Sequence, residues 1–172
     1  MNICLIGYMG SGKSTLGRKL GKETGRSFLD FDAYIEEREG KTIPEIFKGK
    51  GEIYFRKIEA DYLDTMLLAH KDAIIALGGG TPCYGNNMQR LKQEGIKTVY
   101  LNVPVATLTK RLWKERAQRP VLNDQDTLEK LEEFIRKHLF ERSFYYNQAD
   151  ERISVKDQSE RELIDDLKAR LF

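Results

Sequence analysis

The sequence predicts an α/β protein in which helices cover both faces of a central five-stranded parallel sheet. Short apolar runs alternate with longer amphipathic stretches along the chain, and this alternation is typical of parallel strands joined by helical crossovers. Several of the apolar runs stop at glycine or aspartate, which suits the ends of buried strands. The 172 residues are enough for one domain and too few for two ordinary ones, so we expect a single domain over 1–172.

The apolar runs predict strands at 2–6, 27–29, 73–77, 97–102 and 151–155. The stretches between them predict helices at 13–23, 32–38, 52–70, 86–93, 105–113, 127–142 and 160–171. The stretch TIPE at 42–45 has the spacing of a capping box, with Pro44 in the first turn. The polar stretch KERAQRPVLNDQD at 114–126 has no clear period and predicts a loop. Ligands of such sheets bind beyond the carboxyl ends of the strands, so residues that directly follow a strand are the candidates for a site.

Composition and charge exclude several classes of protein. The chain carries 29 basic and 27 acidic side chains, for a net charge of +2, and this balance argues against a nucleic-acid partner. No apolar run approaches the ~20 residues that span a bilayer, so we expect no membrane partner. Cys4 and Cys83 lack metal-ligand spacing and fit a reducing cytoplasm. His70 and His138 are predicted to be solvated on polar helical faces.

The stretch GYMGSGKST at 7–15 follows a predicted strand, opens a helix and matches G-x-x-x-x-G-K-[ST]. Glycines allow successive backbone N–H groups to point into one concavity, and the helix N-terminus adds its dipole. A lysine at this place reaches the β- and γ-phosphates, and the following hydroxyl binds Mg²⁺. We therefore predict that the nucleotide is bound by Gly10, Ser11, Gly12, Lys13, Ser14 and Thr15.

This motif predicts a ligand without naming a reaction. GTPases usually carry N-K-x-D, and none of the six asparagines begins that pattern. A large ATP-driven machine would need a second domain. A small kinase remains, and the alternative from another class is a non-catalytic nucleotide-binding module, which would need neither Asp32 nor Arg56.

Two carboxylates, Asp30 and Asp32, follow the second predicted strand. Alternate residues at a strand end share a direction, so both side chains can face the phosphate site. The pair suits a site in which Mg²⁺ lies between carboxylate and phosphate, or in which one aspartate accepts a hydrogen bond from a substrate hydroxyl. A helix N-cap is the other interpretation, since Asp32 precedes a helix.

Three arginines and a glycine triplet complete the candidate site. Arg56 shares its helix with acidic neighbours, so a surface ion pair is the simpler interpretation. Gly78, Gly79 and Gly80 follow a strand, and three glycines in a row suggest that a ligand closely approaches the backbone. Arg119 lies in the irregular stretch and suits a lid over phosphates, whereas Arg142 allows either a binding role or a surface charge.

Taken together, the P-loop, D-x-D, F-R-x-x-E, G-G-G, R-P-x-L and a late E-R-x-x-x-Y resemble the motifs of the shikimate kinase family. They occur in order from residue 7 to residue 146, and VKDQS at 155–159 is similar to the adenine-side loop of that family. The resemblance implies a P-loop kinase fold with a mobile lid at about 113–124 and a substrate-binding helical region at about 32–60. It also implies ATP-dependent phosphorylation of the 3-hydroxyl of shikimate.

On the nucleotide side, the resemblance implies that Ser14 ligates Mg²⁺ and that Asp30 holds the magnesium shell through water. Arg119 would close over the phosphates, and Arg111 and Gln158 would flank the adenine.

On the acceptor side, the resemblance implies that Asp32 binds the acceptor hydroxyl and acts as the base. Arg56 and Arg142 would clamp the substrate carboxylate, because a guanidinium fork matches a carboxylate. Lys13 and Arg119 would neutralise charge in the transition state, which makes Lys13, Asp32 and Arg119 the predicted catalytic residues. The acceptor would also contact Gly78, Gly79 and Gly80.

The sequence departs from the family pattern at two places. The late motif of the family often reads R-x-P-x-Y, whereas Phe144 occupies the proline position here, so the helix is free to continue past Arg142. The lid is one residue longer than is common, and Arg116 is an alternative to Arg111 at the adenine.

The alternatives within the kinase class are a gluconate kinase, which would also bind a carboxylate and hydroxyls, and a nucleoside monophosphate kinase. We expect a monomer, because no apolar helix face is left over in the predicted pattern.

Overall fold

The computed structural model describes residues 1–156 and 158–172, and these form five strands in one sheet. The strands are β1 (Asn2–Ile6), β2 (Ser27–Asp30), β3 (Ala73–Ala76), β4 (Ile96–Asn102) and β5 (Glu151–Ser154). Their order is β2-β3-β1-β4-β5, and every neighbouring pair is parallel. The predicted five-stranded parallel sheet is confirmed, with strand bounds within one residue of the prediction.

The seven α-helices formed by the described residues surround this sheet. They are α1 (Lys13–Thr24), α2 (Phe31–Glu39), α3 (Ile43–Ala69), α4 (Asn87–Leu91), α5 (Val105–Glu115), α6 (Leu128–Tyr146) and α7 (Glu160–Leu171). The central strands β1 and β3 are buried along their whole length. Such strands read as continuous apolar runs because both faces of the sheet are covered.

Helix α3 is longer than predicted because the capping box starts a helix of its own. The Thr42 hydroxyl accepts from the Glu45 amide, and the Glu45 carboxylate accepts from the Thr42 amide. Gly51 then interrupts the helix with a left-handed φ of 81°. The predicted helix at 52–70 is the second of the two helical segments that meet at this kink.

The stretch predicted as a loop at 114–126 is more ordered than expected. Helix α5 extends to Glu115, and two short 3₁₀ turns follow at Arg116–Gln118 and Pro120–Leu122. Leu122 is fully buried and fixes this stretch to the core. Helix α6 continues to Tyr146, as expected from Phe144 in the place of a proline.

Three surface predictions need correction. His138 is half-buried, with Nδ1 3.0 Å from the Tyr8 hydroxyl, and His70 lies at the end of α3, where its carbonyl accepts from Asn2. Phe140 and Phe144, one turn apart on α6, are 83% and 71% exposed, so the premise that no apolar helix face is left over is wrong. Among the described residues, no helix is long and apolar enough to cross a bilayer.

Candidate active site

A cavity of about 500 Å³ lies beyond the carboxyl ends of the central strands. Its wall includes the P-loop, the two aspartates and part of the glycine triplet, which the sequence places after β1, β2 and β3. Parallel strands present their carboxyl ends at one edge, so three segments that are distant in the chain meet there. The predicted residues that line the cavity are Gly10, Ser11, Gly12, Lys13, Ser14, Thr15, Asp30, Asp32, Gly78, Gly79, Arg111, Arg119 and Gln158.

The P-loop is folded around the buried Lys13 side chain. Lys13 Nζ donates to the carbonyls of Gly7 at 2.8 Å and Tyr8 at 2.9 Å. Gly10 and Gly12 have φ values of 76° and 93°, in the left-handed region that favours glycine. Burial lowers the pKa of Lys13 to about 8, so the ammonium form gains from a nearby anion.

Ser14 and Asp30 form a hydrogen-bonded pair in the cavity wall. The Ser14 hydroxyl donates to Asp30 Oδ2 at 2.6 Å, and Asp30 Oδ1 accepts from the Ala33 amide at 3.3 Å. The N-cap of α2 is therefore Asp30, and the interpretation of Asp32 as the cap is wrong. Hydroxyl and carboxylate oxygens are hard donors of the kind that Mg²⁺ prefers, so this pair fits that ion.

Asp32 lies in the first turn of α2 and lines the cavity. Burial, and then the charge of Asp30, raise the pKa of Asp32 to about 6, while Lys13 opposes the shift. The carboxylate is thus largely ionised at neutral pH and is a better proton acceptor than an ordinary aspartate.

Each glycine of the triplet makes room for a different side chain. A Cβ at Gly78 would lie 2.6 Å from Asp32 Oδ1, one at Gly79 3.3 Å from an Arg142 nitrogen, and one at Gly80 3.0 Å from an Arg56 nitrogen. None of the three is among the glycines with positive φ in the described part of the chain. Space, and not backbone conformation, is the reason for glycine here. The sequence predicts that a ligand approaches the backbone of these glycines. In the structure, three protein side chains approach it.

Arg56 is half-buried, and its interpretation as a surface ion pair holds only in part, because it pairs with the exposed Glu52 and also with a buried carboxylate. Its Nη1 lies 2.8 Å from Glu59, whose side chain is only 2% exposed. Glu59 also accepts from the Thr81 hydroxyl at 2.7 Å, and the Tyr84 ring centroid lies 3.6 Å from the Arg56 guanidinium carbon. Arg56 Nε is buried and makes no hydrogen bond among the described residues, although Glu52 Oε1 lies 3.5 Å away. Of these partners, Glu52 and Glu59 could be found in the sequence, through their i,i+4 and i,i+3 spacing.

Arg142 is half-buried between the P-loop and the glycine triplet. Its guanidinium carbon lies 5.6 Å from the Tyr8 ring centroid. On the next turn, the Tyr146 hydroxyl donates to the Gly79 carbonyl at 2.6 Å. Arg56, Gly80 and Arg142 are not among the described residues that line the cavity, but they adjoin its Gly79 wall.

Two arginines line the cavity near helix α5: Arg111 lies on the helix, and Arg119 lies in the stretch that follows it. Arg119 pairs with Glu115 at 2.7 Å, and both line the cavity. Arg111 donates to the Gly10 carbonyl at 3.0 Å. Arg116 instead lies over the Trp113 ring, 3.8 Å from its centroid. Between Arg111 and Arg116, only Arg111 is among the described residues that line the cavity.

A P-loop with a buried lysine, a serine–aspartate pair and a second aspartate beside two guanidinium groups define a P-loop kinase of small molecules. The family model of shikimate kinase matches residues 9–171. Shikimate kinase of Flavobacterium johnsoniae is 46% identical over 96% of this chain and 95% of its own. That of Flavobacterium psychrophilum is 40% identical over 99% of this chain and 98% of its own. The chain belongs to the shikimate kinase family, and the resemblance of its motifs is confirmed.

Solved structures give the same result. The 1.7 Å crystal structure of shikimate kinase from Bacteroides thetaiotaomicron has a TM-score of 0.91 and 35% identity, covering 99% of this chain and 98% of that one. Shikimate kinase from Acinetobacter baumannii in complex with shikimate has a TM-score of 0.87 and 34% identity, covering 99% and 92%. The predicted P-loop kinase fold is confirmed by these neighbours.

Proposed function

We propose that this enzyme transfers the γ-phosphoryl group of ATP to the 3-hydroxyl of shikimate, giving shikimate 3-phosphate and ADP. The observation that carries the proposal is the glycine triplet. It brings the Asp32 carboxylate and the Arg56 and Arg142 guanidinium groups together beside the cavity that contains Lys13. A hydroxyl acid needs this combination, because its carboxylate has to be held while its hydroxyl meets a phosphorus atom.

On the nucleotide side, the backbone N–H groups of 10–15 would bind the phosphates, and Lys13 would release its loop carbonyls to reach the β- and γ-phosphates. Ser14 would hold Mg²⁺, with Asp30 in its shell, and the ion would supply charge neutralisation at the phosphates. Arg111 and Gln158 would flank the adenine.

On the acceptor side, Asp32 would orient the 3-hydroxyl and accept its proton. Arg56 and Arg142 would bind the substrate carboxylate with charge-assisted hydrogen bonds. Arg56 Nε, which makes no hydrogen bond among the described residues and lies 3.5 Å from Glu52 Oε1, would be one donor for that purpose. The transition state of phosphoryl transfer is loose, so alignment and positive charge from Lys13 and Arg119 matter more than a strong base.

We further propose one catalytic domain over 1–172, with the lid at about 113–124 and the substrate-binding region at about 32–60. Small molecules, ATP and shikimate, would be the partners of a cytoplasmic monomer without nucleic-acid or membrane partners. The near balance of charge supports the absence of a nucleic-acid partner.

Coupled ADP release with shikimate, gluconate or a nucleoside monophosphate as acceptor tests the function. We expect turnover with shikimate only, and no turnover by Lys13→Ala, which removes the charge on the transferring group. Turnover with gluconate and none with shikimate would reverse the assignment. ADP release that is equal with and without any acceptor would contradict kinase activity.

A further inference from the structure

Tyr8 occupies a position of the P-loop motif at which the phosphate grip requires no particular side chain. The side chain is nevertheless buried, with 1% of the residue exposed. Its hydroxyl lies 3.0 Å from Nδ1 of His138 on α6, and the two rings meet edge to face. Phe134, one turn before, packs on the His138 ring with 4.9 Å between centroids. The pair thus ties the loop around Lys13 to α6.

The same helix carries Arg142 one turn beyond His138 and Tyr146 one turn further. Arg142 lies over the Tyr8 ring, 5.6 Å from its centroid, and against Gly79. Tyr146 donates to the Gly79 carbonyl. Since residues four apart lie on one face of a helix, three consecutive turns of α6 meet the P-loop and the glycine triplet.

Taking the role proposed above for Arg142 as given, we propose that Tyr8 and His138 are positioning residues for the carboxylate of the acceptor. Their hydrogen bond fixes the Tyr8 ring, and the ring face supports the Arg142 guanidinium through a cation–π contact. A long arginine side chain otherwise has many rotamers. Without a fixed ring beneath it, its guanidinium is less often where the shikimate carboxylate needs it.

The nucleotide grip does not depend on this pair. The groups proposed to bind the phosphates are Lys13 and the backbone N–H groups of 10–15, whereas the Tyr8 hydroxyl bonds to His138 on α6. Burial, and then the charge of Arg142, lower the pKa of His138, so a neutral imidazole adds no second cation there. We therefore expect loss of the pair to weaken the binding of shikimate and to leave the binding of ATP unchanged.

Steady-state kinetics of Tyr8→Phe and His138→Leu test the proposal. Each variant should raise the KM for shikimate by about 3- to 10-fold, the range expected for one hydrogen bond. The KM for ATP should stay within about twofold. His138→Asn places an amide group where Nδ1 lies and should restore the wild-type KM for shikimate. The double variant Tyr8→Phe/His138→Leu should be no worse than either single variant, because both remove one interaction.

Lys137→Ala, an exposed neighbour on α6, is the matched control and should have wild-type constants. Equal increases in both KM values, additive effects in the double variant, or no rescue by His138→Asn would each overturn the inference. If the wild type turns over shikimate and Tyr8→Phe has unchanged constants, only this inference fails. If the wild type has no turnover with shikimate, the proposed function fails together with it.

Discussion

Gly80 has no side chain, and the Arg56 guanidinium lies at the edge of the space that a Cβ would fill. The same relation joins Gly78 to the Asp32 carboxylate and Gly79 to Arg142. Three consecutive glycines thus leave room for the three side chains that are proposed to bind the acceptor. The arrangement of the charged groups therefore depends on the missing side chains of the glycines as well as on the charged residues themselves.

Alanine substitution within the triplet should separate two kinetic effects. Gly80→Ala displaces the Arg56 guanidinium and should raise the KM for shikimate by about tenfold, as expected when a charged hydrogen bond is weakened. Gly78→Ala forces the Asp32 carboxylate to move and should mainly lower kcat. Initial rates over a grid of both substrate concentrations measure these effects.

The matched control for this pair is Gly49→Ala, since a Cβ there meets nothing within 4 Å. Both kinetic constants of that variant should be unchanged. Equal constants for Gly80→Ala and Gly49→Ala would contradict the steric argument for the triplet.

The Asp32 carboxylate is the second residue-scale feature with a measurable consequence. Its pKa is raised to about 6 by burial, so its ionised form lowers the stability of the folded state as pH rises from about 4 to above 6. Asp32→Asn removes this cost and should raise the melting temperature at pH 8 by about 4–8 °C, from on the order of 2 kcal/mol. The gain should shrink toward zero at pH 4, where aspartate is protonated in the folded protein.

Thermal unfolding of both proteins at pH 8 and pH 4 measures this difference. Asp32→Asn should also lose turnover, so that stability and activity change in opposite directions. An equal temperature shift at both pH values would show that the carboxylate charge carries no such cost.

At the scale of elements, the stretch between α5 and α6 combines an anchor with an exposed arginine. Leu122 is fully buried. The Arg119 side chain, in contrast, is 35% exposed and pairs with Glu115 in the cavity wall. An anchored segment with a partly free guanidinium suits closure over phosphates without unfolding of the lid. Regular periodicity is absent from such a stretch, which is why the sequence predicts a loop where two 3₁₀ turns occur.

Arg119→Ala should lower kcat by at least about tenfold, because a positive group is lost where charge develops in the transition state. The KM for shikimate should change much less. Arg116→Ala is the matched control in the same stretch, because Arg116 stacks on Trp113 and its loss should leave kcat unchanged. Equal kcat values for the two variants would exclude a role for Arg119 at the phosphates.

At the scale of the whole molecule, the parallel sheet brings segments that are distant in the sequence to one edge, where the cavity lies. The P-loop, the aspartates and the glycine triplet each follow a strand, and their strands are adjacent in the order β2-β3-β1. The arginines come from elsewhere: Arg56 from the second segment of α3 and Arg142 from α6. Only the packing of these helices beside the glycine triplet brings them to one place.

The monomeric state stays a prediction at this scale. Phe140 and Phe144 are exposed one turn apart on α6, but two exposed rings are far less than the surface that a stable dimer buries.

The sequence by itself determined the alternating elements, the P-loop and its lysine, and the edge of the sheet at which the site lies. These follow from short-range periodicity and from motif spacing, which the chain carries locally. Only the tertiary structure decided that Asp30 caps α2, that Glu59 is buried beneath Arg56, and that Tyr8 meets His138. The last two are side-chain contacts set by how α3 and α6 pack, and local sequence patterns do not contain that geometry.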